Sequence, residues 1–487
     1  MKSRNGIIRI VLFIILLYLL CLYFSVGYSK IDPSLIGQVL LLSLIGFILY
    51  IFKEEKYVLL KNQYLTISAV FLVSFIPTCF QYYYLYYANI VTDLSLGYYL
   101  NTNVVNRSVI LSSIGLISFF IGSLHSFKQR HNVISFSESE DVSLNNKGLQ
   151  IGAVLLFLIY FAAMPKDYFL GNYGNTDFDT KIAGIPRFAQ QFYNYFVIAS
   201  VAAVSFKIWS KRLQVSFWGY VKHFRKSFVI TLALNSILII TSGDRDNLIY
   251  TLGVFLIAFI LIKGIKFTLK RVVFLGIPAV LVFFIWGLWR EVDFDVSTSD
   301  KIAIVKDMSD NMDMAVYFAA TDEFARVVRA QHAIIMYVQE SGHQLLTLLY
   351  EFVGLVPGMG MVFTTLLGIE QSEIVSSYVA TAYMRSDHGM GTTCIADLYL
   401  SLGVFGVCLF LYFLGYMYRK IEITVYYDRR KLNYWIFYLT IFVYAVLIGR
   451  ADMMTPFRHC FYVFIFVYLF NTGYFNKMNK LKNTPKV

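Results

Sequence analysis

The sequence predicts an all-α polytopic membrane protein with about 12 transmembrane helices. Hydrophobic residues make up 58% of the 487 residues and charged residues only 15%. Mean hydropathy is +0.61. A soluble domain is about 45–50% apolar and about 25% charged, so this composition excludes an ordinary soluble protein. A bilayer-spanning helix needs roughly 20 mainly apolar residues, and about twelve such stretches occur along the chain.

The candidate spans follow one another with short polar connections. The first has Lys2, Arg4 and Arg9 before or at its start and no small-residue cleavage site after it, so it is expected to be a retained anchor rather than a signal peptide. The two stretches on either side of residue 245 are short for a bilayer. In order, the spans centre on residues 7–27, 34–52, 63–83, 108–127, 149–164, 190–209, 227–241, 248–263, 272–289, 393–417, 433–449 and 459–475.

The distribution of Lys and Arg predicts that both termini are cytoplasmic. If the spans alternate from a cytoplasmic N-terminus, 28 of the 42 Lys and Arg fall on the inner side, and every short inner loop is basic. The positive-inside rule expects this bias. It also accounts for the net charge of +12, so no nucleic-acid partner is expected. The five Cys show no paired spacing and predict neither a disulfide framework nor a metal site.

One outer segment is much longer than the others and divides the chain into three parts. Residues 1–289 form an N-terminal bundle of about nine spans, 290–392 the long extracytoplasmic loop, and 393–487 a C-terminal bundle of about three spans with a basic tail. The loop contains a helix-like segment, Met314 to Val338. Its apolar stretch Leu345 to Ile369 is interrupted by Glu351 and Pro357. A single extra membrane crossing there would place the basic loop at 419–431 on the outer side. The stretch is therefore predicted to be a re-entrant or membrane-surface hairpin.

Arginines near the outer ends of spans are the main candidates for a functional site. Positive charge is depleted on the outer side, so these residues oppose the insertion bias. A guanidinium binds phosphate or carboxylate oxygens bidentately and keeps its charge in a low-dielectric cleft. A structural role is the alternative for each: pairing with a nearby acid, anchoring at the interface, or snorkelling. The candidates are Arg245 and Arg385 as catalytic residues, and Arg187, Arg290, Arg326, Arg329, Arg450 and Arg458 as substrate-binding residues.

His388 is the candidate for proton transfer, with Asp387 beside it in a turn that glycines follow. Imidazole accepts a proton near neutral pH. A lone loop histidine can also be without a role. The seven His show no zinc-binding spacing, and no P-loop or dinucleotide-binding motif occurs in a strand–helix context. No metal and no cofactor is therefore expected.

Two short segments resemble bacterial O-antigen and capsule repeat-unit polymerases of the Wzy type. The first is Gly389-Met390-Gly391-Thr392-Thr393-Cys394-Ile395-Ala396-Asp397-Leu398-Tyr399, which continues to Gly403 and Gly406. It is similar to the family's glycine-rich turn that runs into a span. Asp397 stands where the family often has Glu. The second segment, Ser242-Gly243-Asp244-Arg245, is similar to a Gly-x-Arg turn.

This resemblance implies a glycosyltransferase that joins repeat units at the outer face of the bacterial cytoplasmic (inner) membrane. The donor and the acceptor would be glycans on undecaprenyl diphosphate, and the acceptor hydroxyl would displace the lipid diphosphate. Preorganised arginines would stabilise the charge that develops on the leaving group. His388, Asp387 and Asp244 are the candidate proton acceptors. Membrane lipids, a flippase and a chain-length regulator are the further partners that the resemblance implies.

Three other classes share part of this pattern. A lipid-linked oligosaccharide flippase has about twelve spans, but it should not need a loop of about 100 residues. An O-antigen-ligase-like transferase would share the fold and chemistry and use a different acceptor. A secondary transporter should show two similar halves with broken helices, and no such halves are visible in the sequence.

Overall fold

The structure is a computed structural model that describes residues 4–90, 102–125, 127, 132–137, 144–169, 184–242, 245–274, 325–356, 358–386 and 389–475. Helices dominate these ranges, which contain no β-strand. The only β-type pairing within them is an isolated parallel bridge between Ile134 and Asp428. The all-α class predicted from composition is therefore confirmed.

The first group of helices lies in the described residues of the N-terminal half. Pro33 lies in the first turn of the second helix, where its missing N–H leaves no bond unmade, and the side chain of Asp32 caps that helix. The helices are α1 Arg4–Val26, α2 Pro33–Ile51, α3 Ile67–Tyr87, α4 Thr102–Ser123, α5 Asn146–Ala163, α6 Lys166–Phe169, α7 Ile185–Ser210, α8 Phe217–Val221, α9 Lys226–Ser242, α10 Arg245–Leu248 and, after the π-helical turn Ile249–Gly253, α11 Val254–Lys263.

The C-terminal half begins with short helices and ends with long ones. A 3₁₀ turn, Ile448–Arg450, precedes the last helix. The helices are α12 Val328–Ser341, α13 Leu345–Val353, α14 Met359–Leu367, α15 Gln371–Ile374, α16 Ser376–Tyr383, α17 Cys394–Tyr427, α18 Leu432–Tyr444 and α19 Thr455–Phe470.

Eight helical segments among the described residues are long and apolar enough to cross a membrane, and three more are shorter. The eight are α1 to α5, α7, the Asp246–Lys263 segment and α17, and the shorter three are α9, α18 and α19. Eleven of the predicted spans thus coincide with apolar helices. The predicted span at 272–289 lies almost entirely outside the described residues, so the count of about twelve stays a prediction.

The chain forms two compact units, each assembled from separate stretches of sequence. Unit 1 contains residues 1–129, 267–422 and 445–458, and unit 2 contains residues 130–266, 423–444 and 459–487. The sequence-based division at residues 289 and 392 follows the order of the chain, whereas these units follow contacts between distant stretches. That three-part division remains a prediction about the membrane topology.

In unit 1 the core lies around α4, which is buried along nearly its whole length. Two glycines allow the backbones of α4 and α17 to touch. A Cβ at Gly122 would collide with the carbonyl oxygen of Tyr412, and a Cβ at Gly415 would collide with that of Phe119. Small residues let helices approach closely in membranes, where dispersion contacts replace the hydrophobic driving force. The long helix α17 is thereby held against the centre of unit 1.

A break in α17 anchors the segment that follows α12. Gly403 has φ 65° and ψ −156°, a conformation that is essentially restricted to glycine, so the helical bonds to the preceding turn are interrupted. Nδ1 of His343 donates to the carbonyl of Tyr399 at 2.9 Å, and the N–H of Gln344 donates to the carbonyl of Leu400 at 2.8 Å. The start of α13, at residue 345, is thus fixed to α17.

The predicted apolar hairpin at 345–369 consists of two helices of nine residues, α13 and α14. At 1.5 Å per residue, each is only about 14 Å long, which is too short to cross a bilayer. Glu351 lies on α13 and is buried. Of the predicted helix Met314 to Val338, the described part belongs to α12, which begins at Val328.

Unit 2 packs around α7 and α18. The indole rings of Trp209 and Trp435 stack at 5.0 Å, and Nε1 of Trp435 donates to the carbonyl of Ala202 at 3.1 Å. The guanidinium of Arg429 lies 3.7 Å from the centre of the Trp209 ring. Buried indole N–H groups normally find a partner, as this one does.

Candidate functional site

Four charged side chains meet in unit 1 and form what we call the carboxylate cluster: Glu351, Asp397, Asp452 and Arg458. Nη2 of Arg458 donates to Oε2 of Glu351 at 3.0 Å and lies 3.9 Å from Oδ1 of Asp452. The charge of Asp397 also reaches Glu351. Three carboxyl groups therefore surround one guanidinium.

Asp397 is positioned by the first turn of α17. The Oγ1 of Thr393 accepts the N–H of Ala396 at 2.9 Å, which caps the helix. The carboxylate then points toward the last segment of unit 1, where its Oδ2 accepts the N–H of Met453 at 3.1 Å. Asp397 is fully buried, and its Oδ1 has no hydrogen-bond partner within bonding distance among the described residues.

A buried polar network secures this turn from the other side. Thr393 donates to the side-chain carbonyl of Gln331 at 3.1 Å, and Nε2 of Gln331 donates to the hydroxyls of Ser108 and Ser112 at 2.8 and 3.0 Å. Gln331 is fully buried. Satisfied buried networks of this kind hold a unique arrangement, because an unpaired member would cost more than the bond itself contributes. The network fixes α17 to α4 and α12.

His332 belongs to the wall of this network and does not act as a base. Its Nε2 lies 2.8 Å from the hydroxyl of Tyr83, and the residue is buried. Burial lowers the pKa of His332 to about 3, because a charged imidazolium would lose its hydration there. The ring is therefore neutral at physiological pH and remains so during any reaction near it.

Asp452 and Arg458 come from the short turn and first helical turn that end unit 1. Oδ1 of Asp452 accepts the hydroxyl of Thr455 at 2.6 Å, at the start of α19. Arg458 lies one turn further along the same helix. Its side chain is 27% exposed, whereas that of Glu351 is 1% exposed. The guanidinium of Arg458 is thus on the exposed side of the cluster, and the carboxyl group of Glu351 is buried beneath it.

Glu351 carries the strongest electrostatic signal. Burial raises the pKa of Glu351 well above its usual range, the charges of Asp452 and Asp397 raise it further, and Arg458 opposes them. A buried carboxyl group whose pKa is raised by its neighbours is a candidate for acid–base catalysis. With three carboxyl groups to one guanidinium, the cluster suits a hydroxyl group better than an anion.

Of the arginines predicted from the sequence, the structure places Arg458 in the cluster and Arg450 two residues before Asp452. The others lie elsewhere. Arg385 is exposed at φ 51°, Arg326 is exposed, and Arg329 is partly buried on α12. Arg187 lies in unit 2 and is exposed, and Arg245 begins α10 of that unit with its side chain outside the described residues.

Four residues with predicted roles lie outside the described residues: Asp244, Arg290, Asp387 and His388. Their assigned roles stay predictions. Within the part of the chain that is described, no group of three or more His, Cys, Asp or Glu is arranged to hold a metal ion.

Sequence reasoning did not select the three carboxylates of the cluster as site residues. In the sequence, Glu351 stands out only as an interruption of an apolar stretch and Asp397 only within the resemblance, and Asp452 is simply an acid near Arg450. The available signal was a charged residue inside an apolar segment, which is costly without a functional or pairing reason. The arginines drew attention because they oppose the insertion bias, whereas acids are not subject to that bias.

The fold defines a polytopic α-helical membrane protein, and unit 1 contains a buried cluster of carboxyl groups next to Arg458. The profile of the O-antigen polysaccharide polymerase Wzy family matches residues 7–482, nearly the whole chain. The chain belongs to this family, which confirms the resemblance seen at Gly389 to Gly406. It is accordingly a multi-pass protein of the bacterial inner membrane with a role in O-antigen polymerisation. No curated protein and no solved structure matches the chain.

Proposed function

We propose that the protein joins undecaprenyl-diphosphate-linked oligosaccharide repeat units into a surface polysaccharide at the outer face of the cytoplasmic membrane. Family membership supports the polymerase role. The observation that carries the mechanism is the buried carboxyl group of Glu351, held by Arg458 and crowded by Asp452 and Asp397. The positive-inside bias supports the outer location, because it places α13 and the start of α17 on the outer side.

In the proposed reaction, a sugar hydroxyl of the acceptor attacks the anomeric carbon of the donor. The new bond joins the acceptor oxygen to that carbon, and the bond from the carbon to the diphosphate oxygen breaks. The proton of the hydroxyl passes to the carboxylate of Glu351, and the electron pair of the broken bond leaves with the lipid diphosphate. Glu351 must be ionised to accept the proton, and Arg458 favours that ionised form.

Arg458 acts in this proposal as a positioning residue. Its guanidinium orients the carboxylate of Glu351 and offsets the repulsion from the neighbouring acids. The diphosphate contacts are proposed to come from arginines of unit 1 that the sequence indicates, among them Arg385 and Arg450. The α13–α14 hairpin is proposed to lie against the outer leaflet, where the lipid-linked substrates would approach the cluster.

Glu351→Gln tests the proposal, because it keeps the shape and a hydrogen-bonding group but cannot take a proton. We expect chain formation per amount of membrane-inserted protein to fall about 10²- to 10⁴-fold, the usual contribution of general acid–base catalysis. The matched control is Glu373→Gln, which removes an exposed acid from the same region. Cells carrying the variant should accumulate single repeat units and lack long chains.

A full polysaccharide ladder from well-inserted Glu351→Gln would refute the role of Glu351. A full ladder after deletion of the gene would refute the polymerase itself. If repeat units accumulated only on the cytoplasmic side after deletion, the chain would be a flippase.

A further inference from the structure

A small polar cavity lies in unit 1 beside the start of α1. None of its lining residues belongs to the carboxylate cluster. The cavity encloses about 80 Å³ between the start of α1, the segment after α2, the end of α4 and the middle of α17. Its charged lining residues are Arg9, Lys53, Lys56, Arg419 and one acid, Glu54. Four cations around a space of this size form a basic cavity, and we use that name for it below.

Two of these cations are not neutralised by acids. Nη2 of Arg419 donates to the two carboxylate oxygens of Glu55 at 2.6 and 2.8 Å. Among the described residues, neither Arg9 nor Lys53 makes an ion pair, and the Nζ of Lys53 lies 3.8 Å from the centre of the Tyr50 ring. The basic cavity therefore keeps positive charge that a ligand could balance.

His125 adds an unsatisfied polar atom to the same cavity. Its Nδ1 is buried and has no hydrogen-bond partner in the described part of the chain. Burial and then the charge of Arg9 lower the pKa of His125, so the ring is neutral and can present one N–H. A buried polar atom without a partner is costly, and an anionic oxygen in the cavity would satisfy it.

A second, apolar cavity adjoins the first. It has a volume of about 370 Å³ and shares Gly6 and Arg9 with the basic cavity. Beyond Arg9 it runs along α1 past Ile10, Phe13 and Ile14, and Ile121 of α4 completes its lining. The side chains of Ile10, Phe13 and Ile14 are 47 to 60% exposed. The combination of a basic head cavity and an apolar groove matches a phosphate group joined to a hydrocarbon chain.

We propose that this site binds an anionic phospholipid, with the phosphate-bearing headgroup in the basic cavity and one acyl chain in the groove along α1. The apolar groove that adjoins the basic cavity favours a lipid over free phosphate, because free phosphate would leave the groove unfilled. The charge complementarity favours an anionic headgroup over a zwitterionic one. The predicted topology places the site at the cytoplasmic leaflet, where anionic lipids attract basic segments. The site is independent of the polymerase reaction.

The first test measures lipid binding to the delipidated full-length protein by native mass spectrometry. Phosphatidylglycerol should bind more tightly than phosphatidylcholine. Arg9→Gln and Lys53→Gln should each weaken phosphatidylglycerol binding about fivefold, since a basic residue near a lipid surface contributes on the order of 1 kcal/mol. Lys420→Gln, an exposed neighbour of Arg419 that does not line the cavity, is the control and should bind normally. Equal binding of both lipids, or no effect of either variant, would overturn the proposal.

The second test separates a lipid from a free phosphate ion. Ile14→Trp fills the groove without changing the basic cavity, so it should weaken phosphatidylglycerol binding and leave the response to inorganic phosphate unchanged. Thermal unfolding of the unliganded variants checks that they fold. If inorganic phosphate raises the unfolding temperature as much as phosphatidylglycerol does, and Ile14→Trp has no effect on lipid binding, the site takes free phosphate and the lipid proposal is wrong.

Discussion

Two arginines of unit 1, Arg419 and Arg458, are each held between two carboxylates, yet they differ in how completely those carboxylates are matched by hydrogen-bond donors. Arg419 binds both oxygens of Glu55 at 2.6 and 2.8 Å and lies 3.8 Å from Glu422. Glu422 is also held by the N–H and hydroxyl of Ser68 at 3.1 and 3.0 Å. The three side chains are between 3 and 14% exposed. Every charge there has a close partner.

Arg458 donates to Glu351 at 3.0 Å and lies 3.9 Å from Asp452. The charges of Asp452 and Asp397 both raise the pKa of Glu351, so its protonation relieves repulsion. A carboxylate whose oxygens are bound by hydrogen-bond donors stabilises one conformation, whereas a carboxylate crowded by other acids has a raised pKa. A functional site is therefore indicated by how buried charged groups are paired with their neighbours, and not by their burial alone.

Removing the matched arginine should have the largest effect, and it should act on stability. Arg419→Gln leaves two buried carboxylates without their cation, which costs about 3–5 kcal/mol. We expect a large fall in the amount of membrane-inserted protein, measured by quantitative immunoblot, with Lys420→Gln as the unaffected neighbour. A well-expressed Arg419→Gln protein with unchanged thermal stability would break the comparison.

Removing the over-crowded arginine should act on turnover instead. Arg458→Gln loses one charge-assisted hydrogen bond to Glu351, worth about 1.5–3 kcal/mol, so chain growth should slow roughly ten- to hundred-fold. The pKa of Glu351 should rise further, and the activity should need a higher pH. Chain growth in membrane vesicles, followed across pH, measures both effects. Arg458→Lys, which keeps the charge, should restore the pH profile but not the full rate.

A purely structural role for Arg458 would give the opposite pattern. The amount of inserted protein would then fall, and the pH profile of the remaining activity would stay in place.

Gly403→Ala should have an intermediate effect that links stability to the site. A non-glycine residue at φ 65° and ψ −156° costs about 1–3 kcal/mol. A Cβ there would also lie 3.0 Å from the ring of His343, which anchors α13. We expect a lower unfolding temperature together with reduced chain formation. Gly473→Ala is the matched control, since a Cβ there meets nothing within 4 Å, and wild-type behaviour of both variants would argue against the anchor.

Asp452→Asn should produce the smallest effect, a shift in the pH dependence. The charge of Asp452 raises the pKa of Glu351, so its removal lowers that pKa. Because Glu351 must be ionised to accept a proton, the acidic limb of the activity profile should move to lower pH, by about one unit or less. Arg458→Gln moves the same limb the other way. Two shifts in the same direction would show that Glu351 is not the titrating group.

The membrane architecture was accessible from the sequence, because hydropathy and span length follow from bilayer physics alone. Eleven predicted spans coincide with apolar helices in the structure, and the glycine-rich segment before Asp397 indicated the family. The carboxylate cluster could be predicted from the sequence only in part. Arg458 was selected for its position, but its partner Glu351 lies 107 residues away in the chain. No periodicity links the two, and only the break at Gly403 brings α13 to α17.

The anchor at Gly403 makes the number of residues in α13 more important than their identity. His343 and Gln344 are fixed to α17, and Glu351 is the seventh residue of α13, which begins directly after Gln344. Each added or deleted residue would rotate Glu351 by about 100° and carry it away from Arg458. Evolution can therefore exchange the side chains at 345, 346, 348 and 349 widely, whereas a single-codon insertion or deletion between 344 and 351 should be lost from any functional population.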